Sequence, residues 1–322
     1  MKKIGLIYMG GTFGCIGDSL SPMPAEAFIP QLKKVLPLHL NIECFIAPVI
    51  KDSSACTAKD WLKLVQYLQV LQRDGFQHFV IIHGTDTLSY ASAVLAQFMA
   101  KSAHVILTGS QYPLLTVTGG DTREFTDALE NLNFALNAIN QCSAGVYLAF
   151  HYQLIHAQTA LKIHTTDLNA FHGISVSQDI QQASNAFLIE NIHIEKAAQF
   201  NCVNWMMQPI EQYLLSLNLK NILEAPPHCL ILQGFGIGNL AINSEILSII
   251  HSLQAKNCAV ILTTQVPFGE IDQRYAISDW VQTAKILVSN TKSHADLYAK
   301  TLKMYLKYDA IDQWHTHWGS DF

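Results

Sequence analysis

Apolar and polar positions fall into blocks that switch between two periods along the chain. Apolar runs at Ile4–Met9, Ile42–Ile50, Phe79–Ile82, Val105–Leu107 and Gly145–Phe150 have the length of buried strands. Between them, Thr57–Arg73 carries Trp61, Leu62, Val65, Leu68 and Leu71 at helical spacing, which puts Trp61 in the core. Phe28–Leu36, Leu88–Met99 and Asp127–Asn140 read as further helices, and Ile155–Thr159 as a further strand. This alternation predicts an α/β fold: a larger N-terminal domain, 1–188, with a mostly parallel sheet flanked by helices. From Ser184 to Gln208 the pattern fades into Asn and Gln, and 189–212 is expected to be an interdomain linker. Strands at Cys229–Gln233 and 258–263, with helices at 243–255 and His294–Tyr308, predict a smaller C-terminal α/β domain, 213–322.

In a parallel sheet, chain direction brings the segments 10–14, 51–54, 83–87 and 108–111 to one edge, where open α/β sheets bind ligands. Each of these segments carries hydroxyl groups. Thr85-Asp86-Thr87 alone is equally good as a helix N-cap. Four such loops on one edge exceed what a bare scaffold needs. The N–H groups at the start of the helix beginning at Leu88 suit an anionic group in the same crevice. Gly10-Gly-Thr-Phe-Gly14 lacks both G-x-G-x-x-G spacing and a following Lys-Ser/Thr, which disfavours a nucleotide. The polar stretch Cys15–Pro24 reads as a mobile loop able to close over a substrate.

Composition narrows the partners. With 322 residues the chain has room for two domains, and at 50% hydrophobic and 14% charged it can fill a large core and a buried subunit interface. A net charge of −5 makes no electrostatic case for nucleic acid or an anionic membrane. Seven scattered cysteines without a C-x-x-C suggest reduced thiols. Met1-Lys2-Lys3 precedes an apolar run too short for a signal peptide, and no run approaches the roughly 18 residues of a membrane span. A cytoplasmic protein is expected. His315 and His317 look like a metal pair between Trp314 and Trp318, but without a third ligand at suitable spacing they are expected to pack; no metal or cofactor is expected. His83 and His164 are expected to make structural hydrogen bonds.

Six motifs occur in order: Met9-Gly-Gly-Thr-Phe-Gly14; Asp52-Ser-Ser54 with Thr57 and Asp60-Trp61; His83-Gly-Thr-Asp-Thr-Leu88; Thr108-Gly-Ser-Gln111 with Pro113; Thr126-Asp127-Ala128 with Asn131-Leu132; and Ala160-Leu-Lys162-Ile-His164-Thr165. In these the chain resembles the bacterial-type L-asparaginases, particularly the cytoplasmic type I group. The resemblance implies hydrolysis of the L-asparagine side-chain amide to aspartate and ammonia. It also implies a two-domain α/β subunit in a homodimer or homotetramer. Thr12 takes the place of a nucleophile that forms an acyl-enzyme, and Thr85, Asp86 and Lys162 take the places of a second triad. Gly11, Ser53, Ser54 and Asp86 match substrate-binding positions, with Asp86 at the substrate's ammonium. Asn239, in Gly236-Ile-Gly238-Asn239, matches a residue that in relatives faces a partner subunit's site.

The chemistry is coherent without the family. Covalent amide hydrolysis needs a hydroxyl made nucleophilic by a neighbouring base, and a lysine desolvated among apolar residues can supply one. Taken alone, Lys162 reads as a solvated surface lysine. The chain departs from the family in three places. The Asp18–Pro24 loop has no tyrosine, a T-S-Q motif becomes Thr263-Thr264-Gln265, and a glutamate is missing from Thr291-Lys-Ser-His-Ala295. Three alternatives therefore stand beside the asparaginase reading. One is a broader asparaginase–glutaminase. Another is the amidase subunit of a tRNA-dependent amidotransferase, which is expected to carry an extra N-terminal domain, whereas Met1 here leads directly into the first strand. The third is a degenerate fold that only binds amino acids or regulates.

Overall fold

The computed structural model describes residues 2–183, 185–267, 271, 279–289 and 291–319. The chain forms two compact units, Met1–Ala198 and Gln199–Asp321. In the first, β1 (Lys3–Tyr8) runs through a 3-10 turn (Thr12–Gly14) into a small hairpin, β2 (Cys15–Ile16) and β3 (Ser21–Pro22). Then follow α1 (Ala25–Lys34), β4 (Asn41–Ile46), a 3-10 turn (Ser53–Ala55), α2 (Ala58–Arg73), β5 (His78–Ile82), α3 (Leu88–Met99), β6 (His104–Thr108), α4 (Ala128–Ala138), β7 (Gly145–Phe150) and β8 (Gln153–His156). After a 3-10 turn (Ala157–Thr159) come β9 (Leu161–Lys162), β10 (Phe171–His172) and α5 (Asn191–Ala197).

The main sheet has the order β4-β1-β5-β6-β7-β8, parallel except for β8. The apolar runs of β1, β5, β6 and β7 are buried on both faces, as the inner strands of a parallel sheet covered by helices require, whereas the edge strand β4 is half-exposed. Leu6, Val80, Ile82 and Ile106 on one face pack with Phe28 and Leu32 of α1 and Leu132 and Leu136 of α4. On the other face α3 lies over β6 and β7, with α2 beside it. Parallel pairing brings the carboxyl ends of β4, β1, β5 and β6 side by side, as the sequence predicted.

Three regions differ from expectation. The expected strand at 155–159 is instead β8, which ends at His156 and pairs antiparallel with β7. His151 and Tyr152 have φ of 46° and 58°, so the chain reverses in two residues and cannot make the crossover that parallel pairing needs. With no Asn-Gly there, the sequence hides the turn. Cys15–Pro24 is a hairpin rather than a bare loop, and Gly17 N–H donates to Val117 O at 3.0 Å. The linker expected at 189–212 contains regular structure: α5 and the first strand of the second unit. Both are short, and that strand is half-exposed, so neither leaves a periodic apolar trace. Ser184, at the start of the polar stretch, lies outside the described residues.

The second unit contains β11 (Cys202–Met206), α6 (Gln212–Glu224), β12 (Cys229–Gly234), α7 (Ser244–Ala255), β13 (Ala259–Thr264), α8 (Asp279–Thr283), β14 (Leu287–Val288), α9 (His294–Lys307) and α10 (Ile311–His317). Its strands form a parallel sheet in that chain order. Neither α6 nor α10 has a counterpart among the predicted elements. Trp314 and Trp318 are buried, and His317 stacks on Tyr308 with ring centroids 4.7 Å apart. Among the described residues no helix is long and apolar enough to cross a membrane, and no group of three or more His, Cys, Asp or Glu is placed to hold a metal.

Candidate active site

Backbone contact draws the strand ends together. Gly11 has φ of 86°, and a Cβ there would lie 2.3 Å from Gly84 Cα. A Cβ on Gly84 would lie 2.5 Å from Ser53 Oγ, and one on Gly109 would lie 2.4 Å from His83 O. Glycine is required at these points so that neighbouring chains can touch. Gly11→Ala forces a left-handed conformation on a residue with a Cβ and presses it into backbone that cannot rotate away. We expect a stability loss of about 2–4 kcal/mol from strain and overpacking together, read from the urea midpoint. A midpoint unchanged from wild type would contradict this packing.

Thr12 follows Gly11 in the 3-10 turn, half-buried, and its hydroxyl has no hydrogen-bond partner among the described residues. Thr85 is buried beyond β5, and Lys162 Nζ donates to its Oγ1 at 2.9 Å. The same Nζ lies 3.4 Å from Asp86 Oδ1. Lys162 sits on the ribbon that β9 makes with β10, between the fully buried Ala160 and Ala170. Its side chain is 22% exposed, so it is not the solvated surface lysine that lysines in general lead one to expect. The Asp86 side chain, 58% exposed, opens to solvent.

The 51–54 segment is tied in from two sides. Thr87 Oγ1 donates to Ser53 O at 2.7 Å. Lys51 Nζ pairs with Asp60 Oδ2 at 2.6 Å, and Asp60 also accepts from Thr57 N–H at the start of α2. Burial disfavours the Asp60 carboxylate, but Lys51 and Thr57 outweigh it and hold its pKa below the usual value. Ser53 is buried and Ser54 exposed; Ser54 Oγ donates to Asp52 Oδ1 at 2.6 Å.

Asp127 and Asn131 play a part that the sequence reading did not identify. Asp127 accepts from Gln111 N–H and Tyr112 N–H at 2.9 Å each and from Asn131 Nδ2 at 3.1 Å. Asn131 Nδ2 also reaches Gly109 O at 3.0 Å, and its Oδ1 accepts from His151 N–H at 2.8 Å. Gln111 Nε2 then donates to Thr165 O and Asp167 O, joining the end of β6 to the segment just after Lys162. Both residues belong to the motif Thr126-Asp127-Ala128 with Asn131-Leu132. Their i, i+4 spacing at a helix start was the available signal. Ser110, 1% exposed, has a hydroxyl without a partner among the described residues.

His83 is buried beside this cluster. Trp61 Nε1–H points at its Nε2 from 3.3 Å, so Nε2 accepts and Nδ1 carries the proton donated to Gly84 O at 2.8 Å. Burial pushes its pKa down to about 4, against the hydrogen bond to Gly84, which favours the charged form. The ring is therefore neutral and structural, as expected. The unfolded chain, whose histidine titrates near 6.5, binds the extra proton between those two values. Stability is thus full above about pH 6.5 and falls as the pH drops toward about 4, by about 3 kcal/mol for this group. Urea midpoints over that range should slope less steeply in His83→Gln than in wild type. Identical slopes would exclude a neutral buried His83.

Of the residues singled out in the sequence, Thr85, Asp86 and Lys162 are in direct contact, and Gly11 and Ser53 pack against Gly84. Asn239 lies in the second unit, where Phe235 and Asn239 exchange backbone hydrogen bonds of 2.9 and 2.8 Å in the turn after β12. Thr264 Oγ1 donates to Gly236 O in the same turn.

The family model described as "Asparaginase, N-terminal" matches residues 3–191. Among curated proteins, L-asparaginase 1 of Escherichia coli K12 is 24% identical over 293 residues, covering 84% of this chain and 82% of that one. A glutamyl-tRNA(Gln) amidotransferase component from Nanoarchaeum equitans is 28% identical over 182 residues, covering 54% of this chain and 44% of its own length. Among solved structures, L-asparaginase I from Vibrio cholerae superimposes with a TM-score of 0.78 at 21% identity, covering all of this chain and 97% of the other. That likeness extends to the two-domain α/β fold.

Proposed function

The chain belongs to the asparaginase family and is an amidohydrolase; on that premise we propose that it hydrolyses L-asparagine to L-aspartate and ammonia through an acyl-enzyme on Thr12. The observation that carries this reading is the Lys162–Thr85 hydrogen bond of 2.9 Å, with Asp86 Oδ1 3.4 Å from the same nitrogen, next to a glycine turn that presents a Thr12 hydroxyl without a partner among the described residues. A module that only binds amino acids needs no half-buried lysine aimed at a hydroxyl.

Thr12 Oγ1 attacks the amide carbon and gives up its proton. The C–N bond breaks, the nitrogen takes a proton and leaves as ammonia, and an ester remains. Water then attacks the ester, the C–O bond breaks, and the Thr12 hydroxyl and a product carboxylate are restored. As an ammonium, Lys162 has only donors, and it uses them on Thr85 Oγ1 and Asp86. Once it yields a proton it can accept from the Thr85 hydroxyl, so this set can pass protons in both steps. The exposed Asp86 carboxylate suits the substrate's ammonium, and Ser53, Ser54 and the Gly11 backbone suit its carboxylate and amino groups. Asn239 is assigned to the substrate side through a partner subunit, as part of a homodimer or homotetramer. We assign the protein to the cytoplasm and require no cofactor.

The test is ammonia release from L-asparagine and from L-glutamine, with EDTA present. Release from asparagine is expected. Comparable release from glutamine would widen the reading to an asparaginase–glutaminase. No release from either amide would sink it.

A further inference from the structure

Cys202 and Cys229 occupy paired positions on neighbouring strands of the second unit. Cys202 opens β11, the edge strand, and Cys229 opens β12; the two are register partners in a parallel pair. Side chains of such partners leave the sheet on the same face. Their sulfurs are 3.3 Å apart. Backbone bonds just outside the pair hold the register: His228 N–H donates to Asn201 O at 2.9 Å, and Asn201 N–H to His228 Nδ1 at 3.0 Å. Adjacent strands lie about 4.8 Å apart, inside the Cα separation that a disulfide spans. Cys202 is half-buried, whereas Cys229 is fully buried against Ile231, Ile261 and Trp314.

We propose that Cys202 and Cys229 are a redox-modification site, a thiol pair that a hydroperoxide closes into a reversible disulfide. The sulfur of Cys202, the less buried of the two residues, attacks the peroxide. The O–O bond breaks, one oxygen leaves as water (or as alcohol from an organic peroxide), and Cys202 becomes a sulfenic acid. The sulfur of Cys229 then attacks the sulfenic sulfur. An S–S bond forms, the S–O bond breaks, and the oxygen leaves as water with the proton of Cys229. Two thiols have lost two electrons, and the peroxide has gained them.

Geometry decides both the order and the reversibility. Burial pushes the Cys229 thiol well above the usual cysteine range, and hydrogen bonding to Cys202 adds to this, so Cys229 is the partner that resolves rather than the one that attacks first. Register partners in a parallel pair also keep their Cβ atoms about a strand spacing apart, wider than the roughly 3.5–4.5 Å usual in a disulfide. The edge strand must give slightly, and a bond closed under such strain is readily reduced.

The experiment treats the full chain with hydrogen peroxide at one equivalent, blocks remaining thiols with N-ethylmaleimide under denaturing conditions, and maps the peptides. Wild type is expected to lose two of its seven reactive thiols, to yield one Cys202–Cys229 linked peptide, and to recover both thiols with dithiothreitol. Cys202→Ser, a near-isosteric change at a half-exposed position, is expected to give no linked peptide. Cys229→Ala should leave Cys202 as a sulfenic acid that dimedone traps. The proposal fails if both cysteines stay fully alkylated, if Cys202 passes to the sulfinic acid without pairing, or if the bridge joins Cys258, which precedes β13 beside them.

Discussion

Thr12→Ala is expected to lower ammonia release from L-asparagine by about 10⁴-fold or more, the scale seen when a hydroxyl nucleophile is removed from a hydrolase. The protein should otherwise be unchanged. The Thr12 hydroxyl has no partner among the described residues, so its removal leaves no donor or acceptor stranded, and the stability change should stay within about 1 kcal/mol. Circular dichroism and a urea midpoint beside the assay separate chemistry from folding. Thr12→Ser keeps an oxygen on the same Cβ and should keep part of the rate. Full activity in the folded Ala variant would mean that another group attacks the amide.

Lys162→Met comes second in expected size. Methionine keeps the unbranched stem but removes the nitrogen that binds Thr85 Oγ1 and Asp86. We expect kcat to fall by about 10²–10⁴-fold, the range for losing a positioned proton-transfer group. Lys162→Arg should not rescue the rate, because a guanidinium stays charged and can only donate. The kcat and KM values must be read separately. If only KM rises, Lys162 anchors Asp86 for binding and the proton-transfer role is wrong.

Much of this site could be read in the sequence because a parallel sheet turns chain direction into position. Once β1, β4, β5 and β6 were recognised as buried apolar runs, Gly11, Ser53, Thr85 and Gly109 had to share an edge, and they do. Lys162 was harder. It arrives on a two-residue ribbon with no periodicity, and Ala-Leu-Lys-Ile reads equally well as surface chain; only the resemblance singled it out. The Asp127–Asn131 anchor was hidden for another reason. Its bonds run to backbone groups 15 to 22 residues away, and side-chain identity does not reveal such partners. The antiparallel direction of β8 went unseen because His-Tyr carries none of the usual signs of a tight turn. In the second unit, β11 is half-exposed and α6 follows a stretch rich in Asn and Gln, so hydrophobic contrast was too low to mark them.

The close contacts at Gly11, Gly84 and Gly109 also limit how this enzyme can change over generations. With a Cβ at any of them falling 2.3 to 2.5 Å from a neighbouring atom, the floor of the site accepts no new side chain. Variants there are expected to cost stability first and so leave selection little to improve. A lineage acquiring a different amide preference would have to find it in the exposed turn 18–20 or the exposed segment 163–167, where residues change without disturbing the strands beneath.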